Sequence, residues 1–135
     1  MTLPKVNIYR IASSTDQAGS RRIIEDRGEL AILRPIGPVY NPCYFDIKPG
    51  EGRFRGEHYH KSKTEVFYVI SGSGIMRFVD LDTGQNGDFQ VSPGDLVTIM
   101  PMCAHRMDAI EFCRVTEFSL EDVDYKTDTF VYRFE

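Results

Sequence analysis

A chain of 135 residues with 41% hydrophobic and 27% charged residues has the size and composition of one soluble globular domain. Its formal net charge of −4 disfavours broad nucleic-acid binding, which needs a basic face. No apolar run approaches the ~20 residues that span a bilayer, and the N-terminus lacks the pattern of a secretory signal. We therefore expect a cytoplasmic protein with one domain over residues 1–135, whose partner is a small molecule and neither nucleic acid nor membrane.

Apolar residues alternate with polar ones along most of the chain, which indicates strands. In chain order, a first strand VNIYRIA (6–12) precedes a polar loop, SSTDQAGSRR (13–22), and a hairpin, IIEDRGELAIL (23–33), that turns at DRG. Further strands are predicted at CYFDIK (43–48), EVFYVIS (65–71), GIMRFVDL (74–81), FQVS (89–92), LVTIM (96–100), FCRVTEFSL (112–120) and TFVYRF (129–134). Gly and Pro turns at PGEG, SGSG and PGD separate them. The pattern predicts an all-β protein, with a double-sheet jelly-roll barrel as the natural closure at this size.

Two of the three histidines stand one residue apart, as His58 and His60. On a strand they project to the same side, ~7 Å apart by the ~3.3 Å rise per residue, and Tyr59 points the other way. Two imidazoles on one face can hold a metal ion when further ligands arrive from neighbouring strands, and Glu65 and His105 are placed to do so. A chance pair of histidines on an exposed strand is the alternative interpretation.

The spacing of these residues resembles a known family. Gly52, five residues, His58, one residue, His60, four residues, Glu65, six residues and Gly72 match the first motif of the cupin superfamily without a gap. PGDLVTIMPMCAHR (93–106) resembles the second motif, with Gly94, Asp95 and His105 in register. The resemblance implies a single cupin domain, a double-stranded β-helix jelly roll. It also implies one divalent transition metal (Zn, Mn, Fe, Ni or Co), with His58, His60, Glu65 and His105 as its ligands.

The second motif departs from the family pattern at three positions. Met100 replaces its first proline, Met102 a glycine and Ala109 an asparagine. Because glycine at such a turn supplies a positive φ, Met102 predicts either a differently shaped loop or backbone strain. We also expect the two methionines to give the mouth of the pocket an apolar lining.

The chain is similar to cupins that act beside sugar carbonyls: zinc-bearing epimerase cupins fused to capsule-sugar reductases, archaeal phosphoglucose isomerases and sugar-nucleotide ketoisomerases. The segments that carry this likeness are GEHYHKSKTEVFYVISGSGIMRF, EDVDYKTDTF and DRGEL. The resemblance implies a metal-dependent isomerase or epimerase of a sugar, sugar phosphate or sugar nucleotide. An Fe(II)-dependent dioxygenase with the same ligands and a non-catalytic binding or sensing domain are the alternatives.

A catalytic base is not assigned by the sequence. Its candidates are Glu65, Tyr44, Tyr68 and Glu57. The positive side chains near the ligands favour an anionic substrate, although such residues also serve solubility; they are Arg53, Arg55, Lys61, Lys63 and Arg106.

Four further features allow weaker predictions. Met76, Met107, Phe67 and Phe78 either line an apolar pocket or pack in the core. The three cysteines have no CxxC spacing and are expected to be free thiols, with Cys103 close enough to His105 to suggest thiol chemistry. EDVDYKTD (121–128) lacks a calcium-loop pattern and is interpreted as a solvated turn. The aromatic face of TFVYRF predicts a homodimer.

Overall fold

The computed structural model of the chain describes residues 4–10, 15–17, 20–34 and 37–135, with only the backbone for 15–17. These residues form strands and turns without a helix. The strands are β1 (Val6–Arg10), β2 (Thr15–Gln17), β3 (Ser20–Glu25), β4 (Gly28–Ile32), β5 (Tyr40–Ile47), β6 (Arg55–Tyr59), β7 (Glu65–Ser71), β8 (Gly74–Asp80), β9 (Asn86–Val91), β10 (Asp95–Ile99), β11 (Cys103–Ala109), β12 (Cys113–Ser119) and β13 (Phe130–Val131). A helix able to cross a membrane is therefore not found in the described part of the chain.

Two five-stranded antiparallel sheets form the barrel, with strand orders β1-β10-β7-β12-β5 and β13-β6-β11-β8-β9. The core lies between them and combines side chains from both, such as Val97 and Val115 from the first sheet and Met76 and Val91 from the second. Along β10, Val97 and Ile99 are buried while Leu96 and Thr98 are half-buried, which is the alternation expected of a strand with one core face. The predicted jelly-roll architecture is confirmed.

Most predicted strands are present with small differences at their ends. EVFYVIS coincides with β7, and the DRG hairpin is present with β3 and β4 paired from Glu25 opposite Gly28. Residues 11 and 12 of the first predicted strand lie outside the described residues.

The polar loop predicted over residues 13–22 is wrong in part, because β2 and the start of β3 lie within it and join β4 in a third sheet. Polar side chains hold this sheet against the barrel. Arg22 forms an ion pair with Glu29 at 2.7 Å, and the Tyr68 hydroxyl on β7 donates to the same carboxylate at 2.9 Å. Glu29 therefore contacts both its own sheet and the barrel.

The C-terminal strand is shorter than predicted, since only Phe130 and Val131 pair with β6. Its aromatic side chains are partly covered by their own chain. The Phe130 ring stacks on Tyr59 with centroids 5.4 Å apart, and the Tyr132 and Phe134 rings lie 5.1 Å apart. The homodimer stays a prediction.

Candidate metal centre and its cavity

His58 and His105 face each other across neighbouring strands of one sheet. They are directly paired in the register of β6 and β11, and their ring centroids lie 4.9 Å apart. The register shifts immediately after His105. Gly56 allows this irregularity, because a Cβ there would lie 2.7 Å from the His105 carbonyl oxygen. The strand pairing therefore sets the distance between these two imidazoles.

Glu65 reaches the same point from the opposite sheet, as the first residue of β7, and His60 lies just beyond the end of β6. Tyr59 lies between the two histidines and points away to contact Phe130, as predicted. The Nε2 atoms of His60 and His105 both contact the Oε1 of Glu65. One ligand atom from each of the four predicted residues lies within 4.8 Å of the others. The structure thus brings all four together.

The hydrogen bonds of the imidazoles fix which of their nitrogens face the cluster. His60 Nδ1 lies 2.8 Å from the Asp128 carbonyl oxygen, and His105 Nδ1 lies 3.1 Å from the Cys103 carbonyl oxygen. A carbonyl only accepts, so both Nδ1 atoms carry the proton and a neutral ring presents an Nε2 lone pair. These two Nε2 atoms and Glu65 Oε1 are buried without a hydrogen-bond partner in the described structure. Three lone-pair atoms that converge without a donor fit a cation.

The electrostatics of the cluster favour the forms that bind metal ions. Burial, and then the neighbouring His105, lower the pKa of His58 to about 4, which keeps that imidazole neutral. Burial alone would raise the pKa of Glu65, but the neighbouring His105 and a hydrogen bond from Glu117 hold it well below its ordinary value. Neutral imidazoles and an ionised carboxylate are the states required of ligands.

Glu117 is a carboxyl group of the site that the sequence analysis missed. It lies on β12 beside Glu65, lines the cavity, and accepts from the Cys43 thiol at 3.2 Å. Burial and then the hydrogen bond to Glu65 raise its pKa to about 8, so it carries a proton at neutral pH. A signal existed, since Cys113 and Val115 are buried and the period of two places residue 117 on the same inward face.

The cluster lies at the wall of a cavity of about 730 Å³. Its apolar lining includes Phe45, Phe67, Met76 and Met107, all of which also pack in or against the core, so both interpretations offered for Met76, Met107 and Phe67 hold. Phe78 packs against the core and Phe89 and is not among the described lining residues. A cavity of this volume accommodates a drug-sized or sugar-sized ligand.

Of the five predicted cations, Arg55 and Lys63 line the cavity, and Lys63 Nζ lies 3.7 Å from Glu117. The others are engaged elsewhere. Arg106 pairs with Glu57 and Asp108. Lys61 lies 4.4 Å above the Phe130 ring, and Arg53 donates to the Pro49 carbonyl. Of the five cations predicted near the ligands, only Arg55 and Lys63 therefore lie in the described wall of the cavity.

Three of the four candidate bases are away from the cavity. Glu57 is buried and accepts from Arg106, Arg133 and the Phe134 amide. Tyr68 donates to Glu29 on the outer face of β7, and Tyr44 is 51% exposed without lining the described cavity. Only Glu65 lies at the site.

Thiol chemistry at Cys103 does not follow from its surroundings. The side chain is fully buried in the core and is not among the described lining residues. Burial, followed by the charge of Asp80, raises the pKa of its thiol to about 11. All three cysteines are free, as predicted.

Met102 keeps the backbone conformation of the glycine it replaces, with φ at 61°. Its amide donates to the His60 carbonyl at 2.7 Å, so the strained turn is tied to the ligand segment. The prediction of strain holds, whereas the prediction of an apolar mouth is wrong. Met100 is 43% exposed, and neither methionine is among the described residues that line the cavity.

The segment interpreted as a solvated turn, 121–128, also lines the cavity. Val123, Asp124 and Tyr125 contribute to its wall, together with Thr129. Asp128 is 8% exposed and lies against the ligand segment. Most of the segment is exposed, as its acidic composition indicates, and its contribution to the cavity wall was not predicted.

Residues 40–123, more than half of the chain, match the model of the polysaccharide biosynthesis C-terminal domain. No curated protein matches the sequence.

Solved structures share the fold over most of the chain. A double mutant of a 3,4-ketoisomerase from Thermoanaerobacterium thermosaccharolyticum in complex with TDP is 23% identical with a TM-score of 0.71, over 95% of this chain and 88% of that one. A dTDP-6-deoxy-D-glucose-3,5-epimerase from Legionella pneumophila in complex with dTDP-4-keto-L-rhamnose is 12% identical with a TM-score of 0.74, over 99% and 76%. The capsular polysaccharide assembling protein of Staphylococcus aureus is 23% identical with a TM-score of 0.62, over 85% of this chain and 33% of that protein. The predicted cupin fold is thereby confirmed.

Proposed function

The chain belongs to the polysaccharide biosynthesis C-terminal domain family, and from that premise we propose that it is a metal-dependent isomerase or epimerase of a sugar nucleotide. The observation that carries the proposal is the convergence of two imidazole lone pairs and one carboxylate oxygen, all without a donor, at a cavity of ligand size. The solved structures named above support the choice of reaction and substrate class by analogy of fold.

His58, His60, Glu65 and His105 are the residues assigned to hold the ion. Three nitrogen ligands and one carboxylate suit Zn²⁺, Mn²⁺, Fe²⁺, Ni²⁺ or Co²⁺, and such an ion supplies a Lewis acid that polarises a carbonyl oxygen. The rings of His60 and His105 are oriented for this role by the carbonyl oxygens that accept from their Nδ1 atoms.

Isomerisation or epimerisation beside a carbonyl removes a proton from carbon and returns it. Glu117 is assigned this proton transfer, since it lines the cavity and is not one of the four ligand residues. In the resting protein its proton lies in the hydrogen bond to Glu65; this proton must first leave to solvent, after which the ionised carboxylate accepts the proton from carbon and returns it. Glu65 itself is held by contacts with both buried imidazoles and is less free to move a proton.

Arg55 and Lys63 are assigned to the anionic part of the substrate. Both line the cavity, and a diphosphate is the part of a sugar nucleotide that two cations recognise. Phe45 and Met76 provide apolar wall for the uncharged parts of the ligand.

The test is proton exchange on candidate substrates. The metal-loaded protein is incubated in D₂O with dTDP-4-keto-L-rhamnose, with dTDP-4-keto-6-deoxyglucose and with ketose phosphates, while NMR follows the C–H signals and an electrode follows oxygen. Loss of one C–H signal beside the carbonyl without oxygen uptake is the expected result. Oxygen uptake with Fe²⁺ would favour the dioxygenase, and binding without either signal would favour a sensing domain.

A further inference from the structure

The segment that follows β12 returns to the loop between His60 and Glu65. Near its start, the Leu120 amide donates to the Thr64 carbonyl at 3.2 Å, and Glu121 accepts from the Thr64 amide at 2.5 Å. Near its end, Asp128 contacts the same loop and is 8% exposed. The connection between two metal-ligand candidates is therefore held by residues far away in the sequence.

The Asp128 carboxylate accepts from three consecutive backbone amides of this loop. Its Oδ1 lies 3.0 Å from the Lys61 nitrogen, its Oδ2 lies 3.0 Å from the Lys63 nitrogen, and the Ser62 nitrogen lies 3.1 and 3.2 Å from the two oxygens. Successive amides that point at one anion form a strong binding site for it. This contact fixes the loop relative to residue 128.

The main chain of the same residue contacts a candidate ligand directly. The Asp128 carbonyl accepts from His60 Nδ1 at 2.8 Å across 68 positions of sequence. For His105 the corresponding acceptor is Cys103, two residues away on the same strand. The orientation of His105 thus depends on its own strand, while that of His60 depends on where Asp128 is held.

We propose that Asp128 is the positioning residue of His60. Its carboxylate accepts hydrogen bonds from the amides of residues 61–63, and these bonds place the Asp128 carbonyl opposite His60 Nδ1. The lone pair of His60 Nε2 then faces Glu65. The same attachment keeps Val123, Tyr125 and Thr129 at the cavity wall. The carboxylate acts through the main chain of its own residue and through the loop, without contacting the four ligand residues. The inference rests on the proposed function only for its metal readout.

The test uses the full-length chain, Co²⁺ as the probe and two measurements. Titration followed by visible absorption gives the Co²⁺ affinity, and ¹⁵N NMR of the imidazoles after chelation gives the tautomer of His60. In Asp128→Ala we expect the Co²⁺ affinity to fall about 10- to 100-fold, which is the usual loss when a hydrogen bond that orients a metal ligand is removed. We also expect the single Nδ1–H tautomer of His60 to become a mixture. Asp122→Asn, which removes an exposed carboxylate of the same segment, should change neither.

A merely structural role would lower stability while leaving the tautomer unchanged. A folded Asp128→Ala that retains the wild-type affinity or the single tautomer therefore contradicts the proposal. Where that variant does not fold, the isosteric Asp128→Asn decides by the same two measurements. If the wild-type chain binds no Co²⁺, the metal part of the proposed function fails, and the tautomer measurement alone decides the role of Asp128.

Discussion

The Nε2 of His105 lies 3.1 Å from the Oε1 of Glu65, although the Nδ1 of the same ring donates to the Cys103 carbonyl. The two facing atoms are therefore both acceptors while the ring is neutral. His60 repeats the arrangement on the same carboxylate oxygen. Without a cation, this contact costs the protein the desolvation of buried acceptors.

Glu65→Gln should stabilise the metal-free protein, because the amide hydrogens can donate to the two Nε2 atoms and its oxygen can accept from Glu117. We expect the free energy of unfolding in chelator to rise by about 1–3 kcal/mol, the range for satisfying buried polar atoms. Urea denaturation measures it. Glu57→Gln is the matched control and should be destabilising, since Glu57 accepts from Arg106 and the Phe134 amide. A less stable Glu65→Gln in chelator would contradict the assignment of lone pairs.

Met102 should be more tolerant of glycine than of alanine. Its φ of 61° costs a residue with a Cβ about 1–2 kcal/mol that glycine does not experience. Met102→Gly is therefore expected to be about 1 kcal/mol more stable to urea than Met102→Ala, after the entropic cost of glycine in the unfolded chain is subtracted. At Met100, which is not among the described residues with positive φ, the order should reverse. The same order at both positions would show that the turn is not strained.

Asp80 should contribute stability that depends on pH. The hydrogen bond from Lys5 and those from the amides of Asp82 and Thr83 lower the pKa of Asp80 to about 2, below the ordinary 3.8, although burial opposes this shift. A depressed pKa stabilises the fold above the unfolded value and loses this contribution as pH falls through the folded value. Asp80→Asn should therefore cost about 1–2 kcal/mol at pH 7, and the difference from wild type should vanish between pH about 4 and about 2. Parallel stability curves in that window would refute the account.

Glu117→Gln should slow proton transfer while leaving metal binding unchanged. The amide keeps the size of the side chain and can still donate to Glu65, so metal content should stay at the wild-type value. Exchange of the substrate C–H proton should fall by about 10²- to 10⁴-fold, the usual contribution of a positioned acid or base. Cys43→Ser, which changes a neighbouring donor to Glu117, is the control and should retain most of the exchange. Undiminished exchange in Glu117→Gln would exclude it as the proton carrier.

The sequence predicted the elements whose residues favour strands by themselves. EVFYVIS contains five consecutive β-branched or aromatic residues and coincides with β7. CAHRMDA has no β-branched or aromatic residue, and β11 was missed there. It forms a strand because β6 and β8 supply partners on both sides, which is a tertiary effect.

The four ligand candidates were predicted because their spacing along the chain forms a motif that can be recognised without the fold. Glu117 and Asp128 were not, since the contacts that define them join distant positions: β12 lies beside β7, and residue 128 reaches back to 60. The alternation along β12 could place Glu117 on the inward face, but its contact with Glu65 and the burial of Asp128 depend on the fold. Arg106 was predicted near the metal ligands because it follows His105 in the sequence, but its side chain points away and pairs with Glu57 and Asp108.

The most direct test of the account is elemental analysis of the purified full-length chain after loading with each divalent transition ion and desalting. We predict one ion per chain in the wild type and a loss of stoichiometric metal in His58→Ala and His60→Ala, with Tyr59→Phe retaining the wild-type content because its ring points away from the cluster. A wild-type chain that retains none of these ions, or histidine variants that keep the wild-type content, would contradict the proposed metal centre.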